Sequence, residues 1–338
     1  MNEERVPFVP RSARLSGAGG LRRRCLLPLA AMALLFGAES EAAGCLYVSS
    51  YHQGYEWNDG IERGIEAGLK GRCELSRFYM DTNRHTDPDF ARRKATEARE
   101  LIARTRPDVV IACDDAASLY LVEPFYRNAS LPIVFCGVNG SVDAYGYPYT
   151  NVTGMIEIAP IKPLMKEVRS LVRQLNSGVY LAADVFTQRK EFEENREAYA
   201  TGGIRLTATF VKTMAEWRAA FAEAQNADFV VLGTNAGIAD WDSVGAQRAV
   251  RAGTRKLTVT NYDWMAPFAV LAMTKVAEEQ GEWSAHLART ILGGVKPSSL
   301  PIVVNRRWQT YVNPTLATQA GIQLPPRLVH QARKADRP

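Results

Sequence analysis

The chain has 338 residues, enough for two domains of ordinary size, and a net charge of +5 with acidic residues dispersed among the basic ones. No basic stripe with interleaved aromatics appears, which argues against a nucleic-acid partner. The four histidines, at 52, 85, 286 and 330, are far apart and no H-E-x-x-H or C-x-x-C frame exists, so neither a metal site nor a metal cofactor is expected.

Residues 1–44 differ from the rest. Arg22-Arg23-Arg24 precedes an apolar run from Cys25 to Phe36, and Glu41-Ala42-Ala43-Gly44 follows. A basic region, an apolar run and a zone of small residues together read as an export segment that is cleaved off. The apolar run falls short of the ~20 residues of a membrane span. Arg23-Arg24 before Cys25-Leu26-Leu27 is reminiscent of twin-arginine export. A periplasmic location is expected. The sequence Ala42-Ala43-Gly44-Cys45 also admits lipidation at Cys45, although Cys45 runs straight into a strand and would leave almost no tether.

Beyond the export segment, strands and helices alternate. Leu46–Ser49 reads as a strand, Ser50–Asn58 as a loop dense in polar and aromatic groups, and Asp59–Leu69 as a helix with Ile61, Ile65 and Leu69 at helical spacing. Cys73–Met80 is a strand, Ala91–Arg104 a helix that stops before Pro107, and Val109–Cys113 a strand. A short helix near Ala116 and a strand at Ile133–Cys136 complete a βαβαβαβ series, the pattern of a doubly wound parallel sheet. Cys45 and Cys73 begin two neighbouring strands at the same end, so a disulfide between them is open, as is a pair of free thiols. Cys113 and Cys136 pose the same choice at the other end.

Thr150–Glu157 reads as a passage between domains, and the alternation then resumes. Helices are expected at Ile161–Leu175, Glu191–Ala200, Met214–Gln225 and Trp241–Arg251. Strands are expected at Gly178–Ala182, Leu206–Phe210, Asp228–Leu232 and Leu257–Thr260. Two further helices are expected at Ala269–Glu279 and Ser284–Leu292, then extended chain at Pro301–Asn305 and Trp308–Asn313, and a last short helix at Pro314–Ala320. The fold class is therefore α/β, with two doubly wound lobes.

Neither half opens on G-x-G-x-x-G, and no G-x-x-x-x-G-K-[ST] or G-x-S-x-G is present. No nucleotide or other cofactor is expected, and no catalysis. In open α/β sheets ligands sit beyond the carboxyl ends of the strands, and here those ends are polar. Two lobes around a cleft can close by a hinge.

The stretches Ser49-Ser50-Tyr51-His52 with Trp57, Phe135-Cys136-Gly137-Val138-Asn139 and Thr153-Gly154-Met155-Ile156-Glu157 resemble the type 1 periplasmic solute-binding fold, in its ABC-transporter substrate-binding branch. The longest match runs from Trp264-Met265-Ala266-Pro267 through Glu279–Trp283 and Ile291–Gly294 to Asn305, Tyr311-Val312-Asn313 and Ala320–Pro325. Resemblance covers residues 45–325. It implies three crossings between lobes, placed near 154–156, 264–267 and 304–308. Lobe one would hold 45–153 plus 267–303, and lobe two 157–263 plus 308–338. It further implies a small-molecule ligand, an ABC permease or a membrane sensor as partner, and a monomer. The loop Cys113-Asp114-Asp115-Ala116-Ala117 departs from the Thr/Gly-rich loop of the amino-acid-binding relatives.

Strand-end residues are the expected ligand contacts: Ser50, Tyr51, Trp57, Asp114, Asp115 and Asn139 in lobe one, and Asp184, Asn235, Asp263 and the aromatic wall Tyr262 in lobe two. Several carboxylates at a cleft favour an amine-bearing or polyhydroxylated solute over a bare anion. Delivery of such a solute to an ABC permease is the leading function. Ligand sensing for a membrane histidine kinase or cyclase is the alternative, and an exported α/β enzyme the third.

Overall fold

Buried parallel strands are apolar on both faces, and this property builds both halves of the molecule. The computed structural model describes residues 43–85 and 87–335; the export segment read from 1–44 falls almost wholly outside them. The elements run β1 (Gly44–Ser49), α1 (Glu56–Leu69), β2 (Glu74–Tyr79), α2 (Pro88–Thr105) and β3 (Val109–Cys113). Short helices α3 (Asp114–Ala117) and α4 (Glu123–Tyr126) follow, joined by a π-helical turn at Ser118–Val122. Then come β4 (Ile133–Asn139), β5 (Val152–Glu157), α5 (Ile161–Leu171), β6 (Ser177–Ala183), α6 (Phe186–Thr201), β7 (Arg205–Val211), α7 (Met214–Ala224), β8 (Phe229–Leu232), α8 (Ser243–Gly253) and β9 (Leu257–Thr260). The last are β10 (Leu271–Lys275), α9 (Ala277–Leu292), β11 (Val303–Val304), β12 (Trp308–Val312), α10 (Pro314–Gln319), α11 (Pro326–Gln331) and β13 (Arg333–Lys334).

The strands form two sheets, ordered β11-β5-β4-β3-β1-β2 and β13-β12-β10-β9-β8-β6-β7. The first is parallel throughout, and the second is parallel except for β12 against β10. Side chains alternate between faces as strand geometry demands. Cys45, Tyr47, Val109, Ile111 and Cys113 pack beside α1 and α9, while Leu46, Val48, Val110 and Ala112 pack into the cluster that includes α2.

The helix expected over Ala269–Glu279 does not form. Leu271–Lys275 is β10, parallel to β9 and antiparallel to β12, and the helix begins only at Ala277. The run Ala-Val-Leu-Ala-Met suits either state, and pairing with distant residues decides it. The segment 152–157, read as a passage, is instead a full strand of the first sheet. The chain therefore passes between sheets at 158–160, at Val276 and at 305–307. The second of these lies beyond the expected 264–267, because β10 still belongs to the second sheet.

Small residues set where the second passage can lie. Gly64 on α1 approaches the Glu278 carbonyl so closely that a Cβ would come within 2.5 Å, and a Cβ on Gly281 would overlap the Ile61 carbonyl. This contact seats α9 on α1 immediately after the passage. Two side chains then tie the passages together. The Ile158 N–H donates to Asn305 Oδ1 at 2.7 Å and Asn305 Nδ2 donates back to the Ile158 carbonyl at 3.1 Å. The Glu279 carboxylate accepts the N–H groups of Arg306 and Arg307 at 2.9 and 2.8 Å.

Cys45 and Cys73 form a disulfide, with Cα atoms 5.8 Å apart. The Cys45 sulfur is thus engaged in the disulfide, and the residue is buried in β1. Cys113 and Cys136 are buried free thiols in register on β3 and β4.

Two outcomes are expected. Cys73→Ser removes a link closing 28 residues and should cost about 3–4 kcal/mol; urea unfolding with and without reductant measures it, and equal midpoints would contradict it. Gly281→Ala should cost about 1–3 kcal/mol through overpacking, seen as a lower thermal midpoint.

Candidate functional site

The carboxyl ends of β3, β4 and β5 in the first lobe and of β6, β8, β9 and β10 in the second border one cavity of about 670 Å3. A volume of this size suits a small solute. First-lobe walls come from Asp115, Asn139–Ser141, Asp143–Tyr145 and Glu157. Second-lobe walls come from Tyr180, Lys190, Glu191, Glu194, Asn195, Gly233, Asn261, Tyr262 and Lys275.

On the first lobe, Asp115 is held from both sides. The Tyr145 hydroxyl donates to its Oδ1 at 2.6 Å and Asn139 Nδ2 to its Oδ2 at 2.9 Å. Glu157 is 4% exposed and forms an ion pair with Lys275, which is a quarter exposed. Burial raises the Glu157 carboxyl above its ordinary value, against the pull of Lys275. For Lys275 burial pushes downward, but Glu157 outweighs it and holds the ammonium above its usual value. The lysine ammonium also sits 5.0 Å from the centre of the Trp57 ring.

On the second lobe, α6 presents Gln188, Glu191 and Glu194 at three-residue spacing, hence on one face. Gln188 organises this wall. Its Oε1 accepts from the Tyr180 hydroxyl at 3.0 Å and from the Thr234 N–H at 2.9 Å, and its Nε2 donates to the Tyr262 oxygen at 2.8 Å and to Glu191 at 3.0 Å. The Tyr262 hydroxyl donates to Glu191. Half-burial raises the Glu194 carboxyl, with Lys190 opposing.

Of the expected contacts, Asp115, Asn139 and Tyr262 line this cavity. The others do not. Ser50 is buried, donating to the Cys113 carbonyl at 2.7 Å and accepting the Ala117 N–H at 2.8 Å, so it fastens the end of β1 to the residue before α3 and to the last residue of α3. Tyr51 packs edge-on against Tyr55, and burial with nearby Asp114 raises its phenol. Trp57 lies beneath Lys275. Asp114 turns inward with φ of 71° and accepts Asn58 Nδ2 at 2.5 Å. Asp184 is taken by Arg189 and Lys212. Asp263 is exposed and caps Trp264 N at 2.9 Å. Asn235 is half-buried in the turn to Ile238, off the cavity. The sequence reading missed Glu157, Glu191, Glu194 and Lys275. Glu191 and Glu194 stand three apart within the expected helix Glu191–Ala200, whereas Gln188 lies before its expected start; Glu157 closes a β-rich run.

Among the described residues no group of three His, Cys, Asp or Glu side chains is placed to hold a metal ion, and no helix is long and apolar enough to cross a membrane.

Two doubly wound lobes, three passages and a polar cavity at the strand ends define a hinged solute-binding protein. The family model for ABC transporter substrate binding protein matches residues 55–336, and the chain belongs to that family. It is similar to a conserved domain protein from Vibrio cholerae, at 18% identity and a TM-score of 0.61, covering 87% of this chain and 99% of the other. A domain in complex with L-Trp from Streptococcus pneumonia aligns at 16% identity and a TM-score of 0.60, with the same coverage. A ligand-free, open substrate-binding protein with adhesive properties from Clostridium difficile aligns at 13% identity and a TM-score of 0.69, again over 87% and 99%. At these identities the structures share the fold. No curated protein matches the chain. Membership of the family makes this an extracytoplasmic solute-binding protein of an ABC transporter system, and not an enzyme.

Burial pushes the Asp114 carboxyl up to about 8, against the hydrogen bond from Asn58. The unfolded carboxyl titrates near ~4. Between these values the folded chain keeps a proton that the unfolded chain has lost, so stability falls as pH rises through the window and levels off above it. Asp114→Asn keeps an acceptor for Asn58 and tolerates positive φ. It should gain on the wild type as pH rises from 5 to 8, by at most about 1.4 kcal/mol per pH unit. Urea unfolding at three pH values tests this, and parallel curves would refute it.

Proposed function

We propose that the protein captures a small solute carrying an amine in the cavity between its lobes and delivers it to the permease of its ABC transporter, after export with removal of the leading segment. The observation that carries this reading is the charge of the cavity wall. Asp115, Asp143, Glu157, Glu191 and Glu194 face two cations, Lys190 and Lys275. A solute ammonium enters a field of its own counter-charge, whereas a bare anion is repelled.

Hydrogen-bonding groups support the same class. Tyr180, Asn195, Asn261 and Asn139 add neutral donors and acceptors, so hydroxyls on the solute would find partners as well. One similar structure holds L-Trp, a solute that also carries an ammonium. The cavity here has its own acidic set, and the proposal extends to amines generally.

A thermal-shift series tests it, with putrescine, L-lysine, tyramine, glucose and citrate as probes. Amines should raise the thermal midpoint, by the equivalent of about 2.7 kcal/mol at a hundredfold excess over Kd. Glu194→Gln should weaken amine binding about tenfold, in keeping with the worth of a charged hydrogen bond. A midpoint raised by citrate and untouched by every amine would overturn the reading.

A further inference from the structure

Glu157 and Lys275 hold matching places in the two lobes. Each ends its strand, β5 in the first sheet and β10 in the second, and each stands at the start of a passage between lobes. Their ion pair therefore crosses from lobe to lobe at the base of the cavity. The ammonium is enclosed from the first-lobe side by the Glu157 carboxylate and by the ring of Trp57, 5.0 Å from its centre. From the second-lobe side it feels Glu191.

A carboxylate beside an indole face is a site made for an ammonium ion. In this conformation the chain's own lysine fills it. A second observation points to an external ligand. Glu157 is 96% buried and lines the cavity; apart from its ion pair with Lys275, the one donor among the described residues drawing on its carboxylate is the indole N–H of Trp57, which falls short of a full hydrogen bond and leaves Oε2 under-satisfied. A buried acceptor left bare is costly, and such groups are few in folded proteins.

We propose that Glu157 and Trp57 form the ammonium anchor of the cavity, and that Lys275 is its tethered occupant, which a solute ammonium displaces. This rests on the amine reading above and sharpens it. Displacement exchanges one cation for another, so Glu157 is never left buried without a counter-charge. The released lysine has Glu191 and Glu194 of its own lobe to turn to. A solute bearing only hydroxyls brings no cation and cannot complete the exchange. Primary and methylated amines small enough to lie on Trp57 can. The tether lowers the apparent affinity by the fraction of molecules in which the anchor is vacant.

Lys275→Met tests this, since methionine keeps the length and loses the charge. Calorimetric titration with putrescine, tyramine, choline and L-tyrosine should show the variant binding amines about tenfold tighter than wild type or better, with Glu157→Gln abolishing the binding. Tyramine and L-tyrosine differ in a carboxylate. If Lys275→Met weakens L-tyrosine and leaves tyramine unchanged, the lysine reads a solute carboxylate and the tether is overturned. Unchanged amine affinity in the variant, with binding in the wild type, also overturns the tether while leaving the amine reading intact. No amine binding in either protein overturns both. Should Lys275→Met fail to fold, Lys275→Ala refolded with n-butylamine decides the matter. Recovery of a cooperative melt supports an anchor open to external amines, and no recovery overturns it.

Discussion

Burying Glu157 fixes the relation between the two sheets. A carboxylate at that depth needs a counter-charge, and the counter-charge comes from Lys275 at the end of a strand in the other sheet. While Lys275 occupies that place, the carboxyl ends of β5 and β10 are held together. The two passages that follow them run side by side, and Asn305 and Glu279 fasten the third to the same bundle. The ties of Asn305 and Glu279 hold the passages together whether or not Lys275 keeps its place, and motion is left to the walls farther away.

Those walls differ in character. The second-lobe wall is organised before any solute arrives, because Gln188 saturates its amide with Tyr180, Thr234, Tyr262 and Glu191. A fully satisfied polar network of this kind is rigid. The first-lobe wall combines one carboxylate already occupied, Asp115, with one that is half-occupied, Glu157.

Much of the fold was legible in the sequence because strands buried on both faces leave unbroken apolar, β-branched runs. Val109–Cys113 and Ile133–Cys136 could hardly be anything else. Strand ends also pointed to Asp115, Asn139 and Tyr262. Misreading began where identity depends on distant pairing. Leu271–Lys275 becomes a strand only because β9 and β12 flank it, and Lys275 was hidden by being assigned to a helix. Glu157 was hidden by being assigned to a connector. Asp114 went astray for a different reason: the strand ends at Cys113, and the left-handed backbone at Asp114 turns its side chain to Asn58 while Asp115, next along in α3, reaches the cavity. A search confined to strand ends also passes over α6, whose Glu191 and Glu194 reach the site from a helix face.

The docking of α9 on α1 bears on how the chain comes to be folded. The first lobe begins at β1 but receives its covering helix from residues 277–292 and its edge strand β11 from 303–304. The second lobe in turn awaits β12, at 308–312, to pair with β10. Neither lobe can be finished from its own contiguous stretch: both await residues 277–312. Long-range closure of this sort slows folding, because each lobe is sealed by residues the other lobe separates from it in the chain.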